Sequence, residues 1–455
     1  MNLSHELPFI KFVNNLRENK SDINYDDLKS EINRKDQSGT SKYNLNMKEN
    51  DDLFVVYYEN NSTQTNDNIE LEKGTKSLIV DKQTLIPIVN QYNNIIYNED
   101  ATEYLKLVNW DNVEFEKCYE GTLLVVYFNN DKWYVSTRRC LDAYKSSWIK
   151  NKSYGELFDE SIEGKFSLND LNTEYCYHFV LLHYKNKNIV NYSNLGYNES
   201  YKDVIHAMTT KKYTLEEIDY TINENIKKSD KKNFSNLDEL LCDLNSTSED
   251  DEKRKTISLE GYIVKVYEGE IGLSPFTVLK LQTDIYQKIN NIKPNNSNIY
   301  QSYLVLYQND ILTEYLPYFS KYNNDIIKRI HTSMRTLSKE ILDLYHCTRQ
   351  KKNPEVYKSL YEQYKKILYG LHGLFIEYRT PKEDNTTEEK ITKSITVHDV
   401  YHHLKNLPTE QLRQLFYERM CMIENNINTT YFNVDCISTT TLCTLMFQNN
   451  IRRIN

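Results

Sequence analysis

Lys117 is followed by Cys118, Tyr119, Glu120, Gly121 and Thr122, and then by the apolar run 123–128. A lysine amine attacks phosphorus only when it is uncharged, and cationic neighbours or partial burial lower its pKa towards that state. Attack on the α-phosphate of a nucleoside triphosphate would give a phosphoramidate, which stores an activated nucleotide on the chain. Gly121 permits a tight backbone turn beside a bound sugar. The string alone is short enough to recur by chance, and a surface lysine in a turn is the plain alternative. The segments around it give it weight.

Residues 53–58, 77–81 and 85–89 have strand texture, with a polar loop over 60–68 and a turn at Lys82-Gln83-Thr84. A short helix is expected over 99–107. Lys117 falls at the end of a strand, 123–128 is a continuous apolar strand, and Asn129-Asn130-Asp131 turns the chain into a hairpin partner over 132–137. Residues 175–184 form another buried strand, continued at 188–190. Strand texture returns over 257–266 and 277–283. From about residue 300 the pattern is helical. Asn353-Pro354-Glu355 is a helix start: a cap, a proline at the first position and an acid in the first turn. Tyr357, Leu360, Tyr361, Tyr364, Leu368 and Leu371 follow at helical spacing, and Thr409 can cap a helix carrying Leu412, Leu415, Phe416 and Met420.

With 455 residues the chain exceeds a single core. The expected division is a polar N-terminal extension (1–50), a sheet-rich domain (51–295) and a helical domain (296–455). An insertion over about 198–255 carries a helix near 215–226, the basic run Lys227–Lys232 and an acidic linker at 246–252. Only 11 glycines and 8 prolines argue against Gly-rich phosphate loops and Pro-rich linkers. The net charge of −9 means that a nucleic acid must be met by a local basic groove, against the overall field. None of the eight cysteines forms a Cys-x-x-Cys pair. The first twelve residues carry no apolar leader and no run reaches membrane-spanning length, so an intracellular, cytoplasmic protein with no membrane partner is expected. The Asn, Lys, Ile and Tyr content fits an AT-rich genome, such as that of a large DNA virus or a protist.

The order of segments resembles that of the covalent nucleotidyltransferases, and within them the bacteriophage-type ATP-dependent RNA ligases. Lys117 with Glu120-Gly121-Thr122 resembles the nucleotide-accepting motif. Ser136-Thr137-Arg138 resembles the pair that holds sugar and phosphate oxygens. The strand from Tyr177 through Val190 resembles the third motif, Glu260-Gly261-Tyr262-Ile263-Val264 the fourth and Leu279-Lys280-Leu281-Gln282 the fifth. Upstream, Thr75-Lys76-Ser77-Leu78 with Gln91-Tyr92-Asn93 resembles the lead-in. The resemblance covers about 54–290. It implies an α+β fold with an antiparallel-sheet, ATP-grasp-like ligase core and a mostly helical C-terminal domain. It implies Lys117 as nucleophile, with Lys76, Glu120, Gly121, Arg138 and Lys280 binding the nucleotide and Glu260 the metal. The cofactors would be ATP with Mg²⁺ or Mn²⁺, and the partner RNA, such as tRNA or nicked ends. A lysyl-AMP would form and an RNA 5′-phosphate would be sealed to a 3′-hydroxyl.

Two positions depart from the pattern. Val180 stands where the third motif has an acid, and Gln282 where the fifth has a second lysine. These keep two other functions open: a ligase fold used as a nucleotide- or RNA-binding or structural module, and an mRNA guanylyltransferase. Plainer alternatives stand beside other features. His398 and His402, four apart on a helix, permit a metal only with further ligands. Lys227–Lys232 reads first as a solvated face. Gly74-Thr75-Lys76-Ser77 lacks the earlier glycine of a P-loop. His178 and His183 read as strand residues, and Tyr357, Tyr361 and Tyr364 as packing.

Overall fold

The computed structural model describes residues 7–447 except 21, 36–38, 40, 59–68, 92–94, 149–151, 187, 196–199, 273, 275, 297, 320–323 and 380–393. The chain divides into two compact units, Met1–Asn290 and Asn291–Asn455. The fold is mixed α+β, with antiparallel sheets in the first unit and helices in the second.

In the first unit β1 (Leu45–Glu49), β2 (Leu53–Tyr58), β3 (Leu78–Asp81) and β4 (Pro87–Asn90) pair antiparallel in chain order. Both faces of β2 are buried, which explains its unbroken apolar run. Phe54 and Val56 meet Phe9, Val13, Leu28 and Ile32 from the helices Pro8–Asn19 and Tyr25–Ile32. Leu53, Val55 and Tyr57 meet Val125, Tyr127 and Tyr134. The expected polar extension over 1–50 is therefore corrected where it is described. Its two amphipathic helices and β1 belong to this core.

β5 (Ile95–Tyr97) and β6 (Val113–Cys118) go to a third sheet. The second sheet comprises β7 (Thr122–Asn129), β8 (Lys132–Thr137), β9 (Tyr175–His183), β10 (Lys202–Lys211) and β11 (Glu217–Ile218), in the order β11-β10-β9-β7-β8, with β12 (Lys227–Lys228) beside β10. Asn130 and Asp131 turn β7 into β8 with φ of 45° and 58°, the left-handed pair that a two-residue hairpin requires. β13 (Lys231–Lys232), β14 (Gly261–Tyr267) and β15 (Phe276–Gln282) complete the third sheet in the order β13-β6-β14-β15-β5.

The stretch expected as an insertion with an exposed linker is, in its described residues, part of the architecture. β10 is a central strand with both faces buried, so 202–211 is core. No helix forms near 215–226: Leu215 sits in a turn at φ 60° and Glu217–Ile218 pairs with β10. The acidic 246–252 lies on the helix Leu237–Arg254, capped by Asn236 and anchored by buried Leu240 and Leu244. Its leucines cover the third sheet, and of its acids Asp251 is buried and accepts from the Ser258 N–H at 2.7 Å.

The second unit is helical throughout its described elements. Asn353 caps Pro354–Ser359 as its sequence predicts, but that helix stops there and a new one runs Glu362–Glu377. Tyr364 is fully buried against Phe432. Arg419 and Glu340 form a two-point ion pair inside the unit, 1% and 3% exposed.

Candidate phosphate-binding cavity of the first unit

Strand parity decides what β6 presents to each side. Val113, Phe115 and Lys117 face the apolar layer under the helix Leu237–Arg254, with Tyr262 opposite Lys117 and Val264 opposite Phe115. Glu114, Glu116 and Cys118 face the other way. Lys117 is half-buried there, its Nζ 5.3 Å from the Tyr119 ring centroid and its N–H donating to the Asp230 carbonyl at 2.8 Å. Burial pushes its pKa down, with Asp230 opposing and Lys232 adding to the effect.

The opposite face of the same sheet carries a polar cluster. Glu260, just before β14, is buried and ion-paired with Lys280 of β15. Gln282 Nε2 donates to the same Glu260 oxygen at 2.9 Å, Asn98 Nδ2 donates to Gln282 Oε1 at 3.2 Å, and Asn98 Oδ1 accepts from the Gln282 N–H at 3.0 Å. Cys118 lies beside this pair. Burial first, then Glu260, drives its thiol pKa up, so it stays a neutral thiol. Burial alone would lower the Lys280 pKa, but the Glu260 carboxylate paired with it outweighs that and keeps the amine charged. Gly261 permits the close approach of β14 to β15, because a Cβ there would fall 1.9 Å from the Leu281 carbonyl oxygen.

The second sheet supplies the other wall. A cavity of about 490 Å³ is lined by Lys76, Gly121, Thr122, Thr137, Arg138 and Arg139, among others. Arg138 Nε donates to the Lys76 carbonyl and Nη2 to that of Tyr58, both at 3.2 Å, which ties the end of β8 to the lead into β3. Lys76 Nζ donates to the Tyr97 hydroxyl at 3.2 Å. Burial, then Arg138 and Lys280, lowers its pKa to about 8. Arg138 and Lys280 thus both sit close enough to act on Lys76. Gly121 is packed against β9, since a Cβ there would meet Val180 Cγ1 at 2.6 Å and the Leu181 oxygen at 2.7 Å. Val180 serves that packing.

Glu120 holds the turn together. Its carboxylate accepts from the Val190 N–H at 2.7 Å, and its carbonyl accepts from Tyr192 Oη at 2.6 Å and Asn188 Nδ2 at 3.0 Å. The structure therefore gathers Lys76, Gly121, Arg138, Lys280 and Glu260 around one region, holds Glu120 as the brace of its turn, and sets Lys117 on the far face of the sheet. Tyr92 and Asn93 of the lead-in lie outside the described residues. Sequence reasoning missed Cys118, Tyr97 and Asn98. The alternation Val113/Phe115/Lys117 against Glu114/Glu116/Cys118 held the signal for the first of these.

Elsewhere, each lysine of 227–232 has an acidic partner: Asp203, Asp219, Glu114 and Asp243 for Lys227, Lys228, Lys231 and Lys232. His398 and His402 bring their Nε2 atoms to 3.0 Å, and Asp399 is engaged by Thr396 and Tyr378. Among the described residues no three His, Cys, Asp or Glu side chains assemble as a metal site. The Glu260 oxygen shared by Lys280 and Gln282 makes a poor divalent-cation ligand as it stands. Among the described residues no helix is long and apolar enough to cross a membrane.

No protein-family model matches this chain. A protein of Invertebrate iridescent virus 3 described as an immediate-early protein ICP-46 homolog is 30% identical over 120 residues. That match covers 24% of this chain and 27% of the relative, so the two are alike over about a quarter of their lengths. Among solved structures, a putative ATP-dependent DNA ligase from Aquifex aeolicus is similar at 12% identity, over 66% of this chain and 78% of that one, with a TM-score of 0.36. Two forms of an archaeal ATP-dependent RNA ligase are similar at 11% and 9% identity, each over 68% of this chain and 78% of theirs, with TM-scores of 0.36 and 0.37.

Proposed function

We propose that the first unit is an RNA-ligase-like nucleotide-binding module whose cavity takes the phosphates of a nucleoside triphosphate or of an RNA 5′ end. The observation that carries this reading is that Lys76 and Arg138 line one cavity with the Gly121 turn, with Lys280 close enough to act on Lys76. Cations held by the fold in a partly buried cavity bind phosphate oxygens through charge-assisted hydrogen bonds without a cost of reorganisation. Arg138 is positioned by two carbonyls and Lys280 by Glu260. Gly121, without a side chain, lets this turn pack directly against β9 beside the cations. Glu260 acts here as the counter-charge that orients Lys280. A divalent ion travelling with the triphosphate would supply charge neutralisation, and nothing in this reading passes through it.

A second reading, full strand sealing through a lysyl-AMP on Lys117, is favoured by the lowered pKa of that amine. It requires β6 to turn Lys117 from one face to the other. Guanylyl transfer is distinguished from it by preference for GTP over ATP.

The test is equilibrium binding of ATP, GTP and a short RNA carrying either a 5′-phosphate or a 5′-hydroxyl. ATP or GTP should bind, and the 5′-phosphate RNA should bind at least about tenfold tighter than its 5′-hydroxyl twin, worth ~1.4 kcal/mol. Arg138→Gln should erase that preference and Lys117→Ala should keep it. Equal binding of both RNAs together with no nucleotide binding would sink the proposal.

A further inference from the structure

The second unit carries a converging pair of imidazoles on the helix Val397–Lys405. A capping box closes the first turn of this helix: the Asp399 N–H donates to Thr396 Oγ1 at 3.3 Å, and the Asp399 carboxylate accepts from the Thr396 N–H at 2.8 Å. Val400 and Leu404 are fully buried and fix the helix's rotation. Tyr401 is held through its hydroxyl by that of Tyr307. His398 and His402, four residues apart, then stand one above the other on the exposed side. Their Nε2 atoms lie 3.0 Å apart and their ring centroids 4.2 Å. The charged neighbours are engaged elsewhere: Asp399 by Thr396 and Tyr378, Lys405 by Asp310. Two exposed imidazoles gain little from a bond to each other that water would not give them. A chelate gains from the same geometry. Metal–nitrogen bonds of about 2.0–2.1 Å reaching across the 3.0 Å span meet at roughly 91–97°. That is the angle between neighbouring ligands in square or octahedral coordination, and it is narrower than the tetrahedral angle of a structural zinc site.

We propose that His398 and His402 bind a divalent transition-metal ion of the Cu²⁺ or Ni²⁺ class through both Nε2 atoms, with water as the further ligands. Each Nε2 then gives its lone pair to the ion. The Nε2 that carries the proton of the present hydrogen bond loses it to solvent while its Nδ1 takes one up, so the charge of the pair is unchanged. Imidazole nitrogen with water suits these ions, and Cu²⁺ stands at the top of the affinity order. Mg²⁺ and Ca²⁺, which take oxygen ligands, are excluded by the same donor set. Both ligands lie on one helical turn, so an ion held by the folded helix and not by the unfolded chain stabilises the second unit. The site is independent of the phosphate-binding reading of the first unit.

The test uses the full chain without an added histidine tag. Ni²⁺, Zn²⁺ and Mg²⁺ are titrated calorimetrically, and Cu²⁺ is followed by electron paramagnetic resonance. Ni²⁺ should bind the wild type at least about tenfold tighter than it binds His398→Gln or His402→Gln, because two ligands on one turn act together. Zn²⁺ should bind more weakly than Ni²⁺, and Mg²⁺ should give no binding heat. The Cu²⁺ spectrum should show two nitrogen donors in the wild type and one in either variant. Both side chains are exposed, so without metal the variants should unfold at the wild-type temperature, and only the wild type should gain thermal stability when Ni²⁺ is added. A wild type that binds no Ni²⁺, or Ni²⁺ affinity and a Cu²⁺ spectrum unchanged in both variants, would overturn the site. Zn²⁺ held more tightly than Ni²⁺ would overturn the assigned class of ion.

Discussion

Lys280→Met should destabilise the first unit and weaken phosphate binding, and the two effects should separate in a double variant. Lys280 is 18% and Glu260 4% exposed, and the ion pair closes on one Glu260 oxygen that also accepts from Gln282. Removing the amine leaves a buried carboxylate without its cation, beside the neutral Cys118 thiol and the Gln282 amide. Breaking a fully buried pair costs about 3–5 kcal/mol. The partial exposure of Lys280 brings this to about 2–4 kcal/mol. For a unit of this size that corresponds to a fall in Tm of roughly 4–12 °C. In Lys280→Met/Glu260→Gln no charge is left behind, so most of the loss should return. Thermal unfolding by calorimetry measures the stability term, and ATP titration of the folded variants measures the other. Both variants should bind ATP at least about tenfold more weakly. A Lys280→Met protein within about 0.5 kcal/mol of wild type, or a double variant no more stable than the single, would refute this account of Glu260 as a counter-charge.

Three further outcomes follow from the geometry. Arg419→Leu removes two hydrogen bonds of 2.8 and 2.7 Å to buried Glu340 and should cost the second unit ~3–5 kcal/mol in urea unfolding, most of it recovered with Glu340→Leu added. Gly261→Ala places a Cβ 1.9 Å from the Leu281 carbonyl at φ 154°, so the β14–β15 pairing should open, with a loss of about 3 kcal/mol or more seen as faster amide exchange over Phe276–Gln282. Acid should also weaken the first unit. Burial lowers the pKa of His178 to about 3 and of His183 and His206 to about 4, so between pH 6.5 and 4 the unfolded chain takes up protons that the folded one refuses. The histidine contribution should be flat above pH 6.5 and fall below it by up to about 1.4 kcal/mol per pH unit for each histidine, and His178→Phe should flatten the slope by one histidine's share.

Much of this architecture is written in local pattern. Residues 53–58 and 123–128 are apolar without a break because both of their faces are covered, and Asn130-Asp131 makes its hairpin through left-handed backbone that those residues tolerate. Asn353-Pro354 starts its helix as written. The charged 246–252 misleads when read alone, because its helix is specified by Leu240 and Leu244 upstream and not by the acids themselves. The lysine motif misleads in a more instructive way. Residue type and order pick out Lys117, but a strand turns neighbouring side chains to opposite faces, and Phe115 commits Lys117 to the helix-covered side. The cluster of Lys76, Arg138 and Lys280 was legible as separate basic positions. Its meeting depends on Arg138 reaching the carbonyls of Lys76 and Tyr58, which join segments 62 and 80 residues apart.

The central claim is that these three cations form a phosphate site. Calorimetric titration of ATP into the full chain, and into Lys76→Ala/Arg138→Gln, tests it most directly. The account predicts saturable binding to the wild type that weakens as salt is raised, with affinity reduced at least about a hundredfold in the double variant, two lost charge-assisted contacts of ~1.5 kcal/mol each. Equal affinity for the folded variant and the wild type would contradict it.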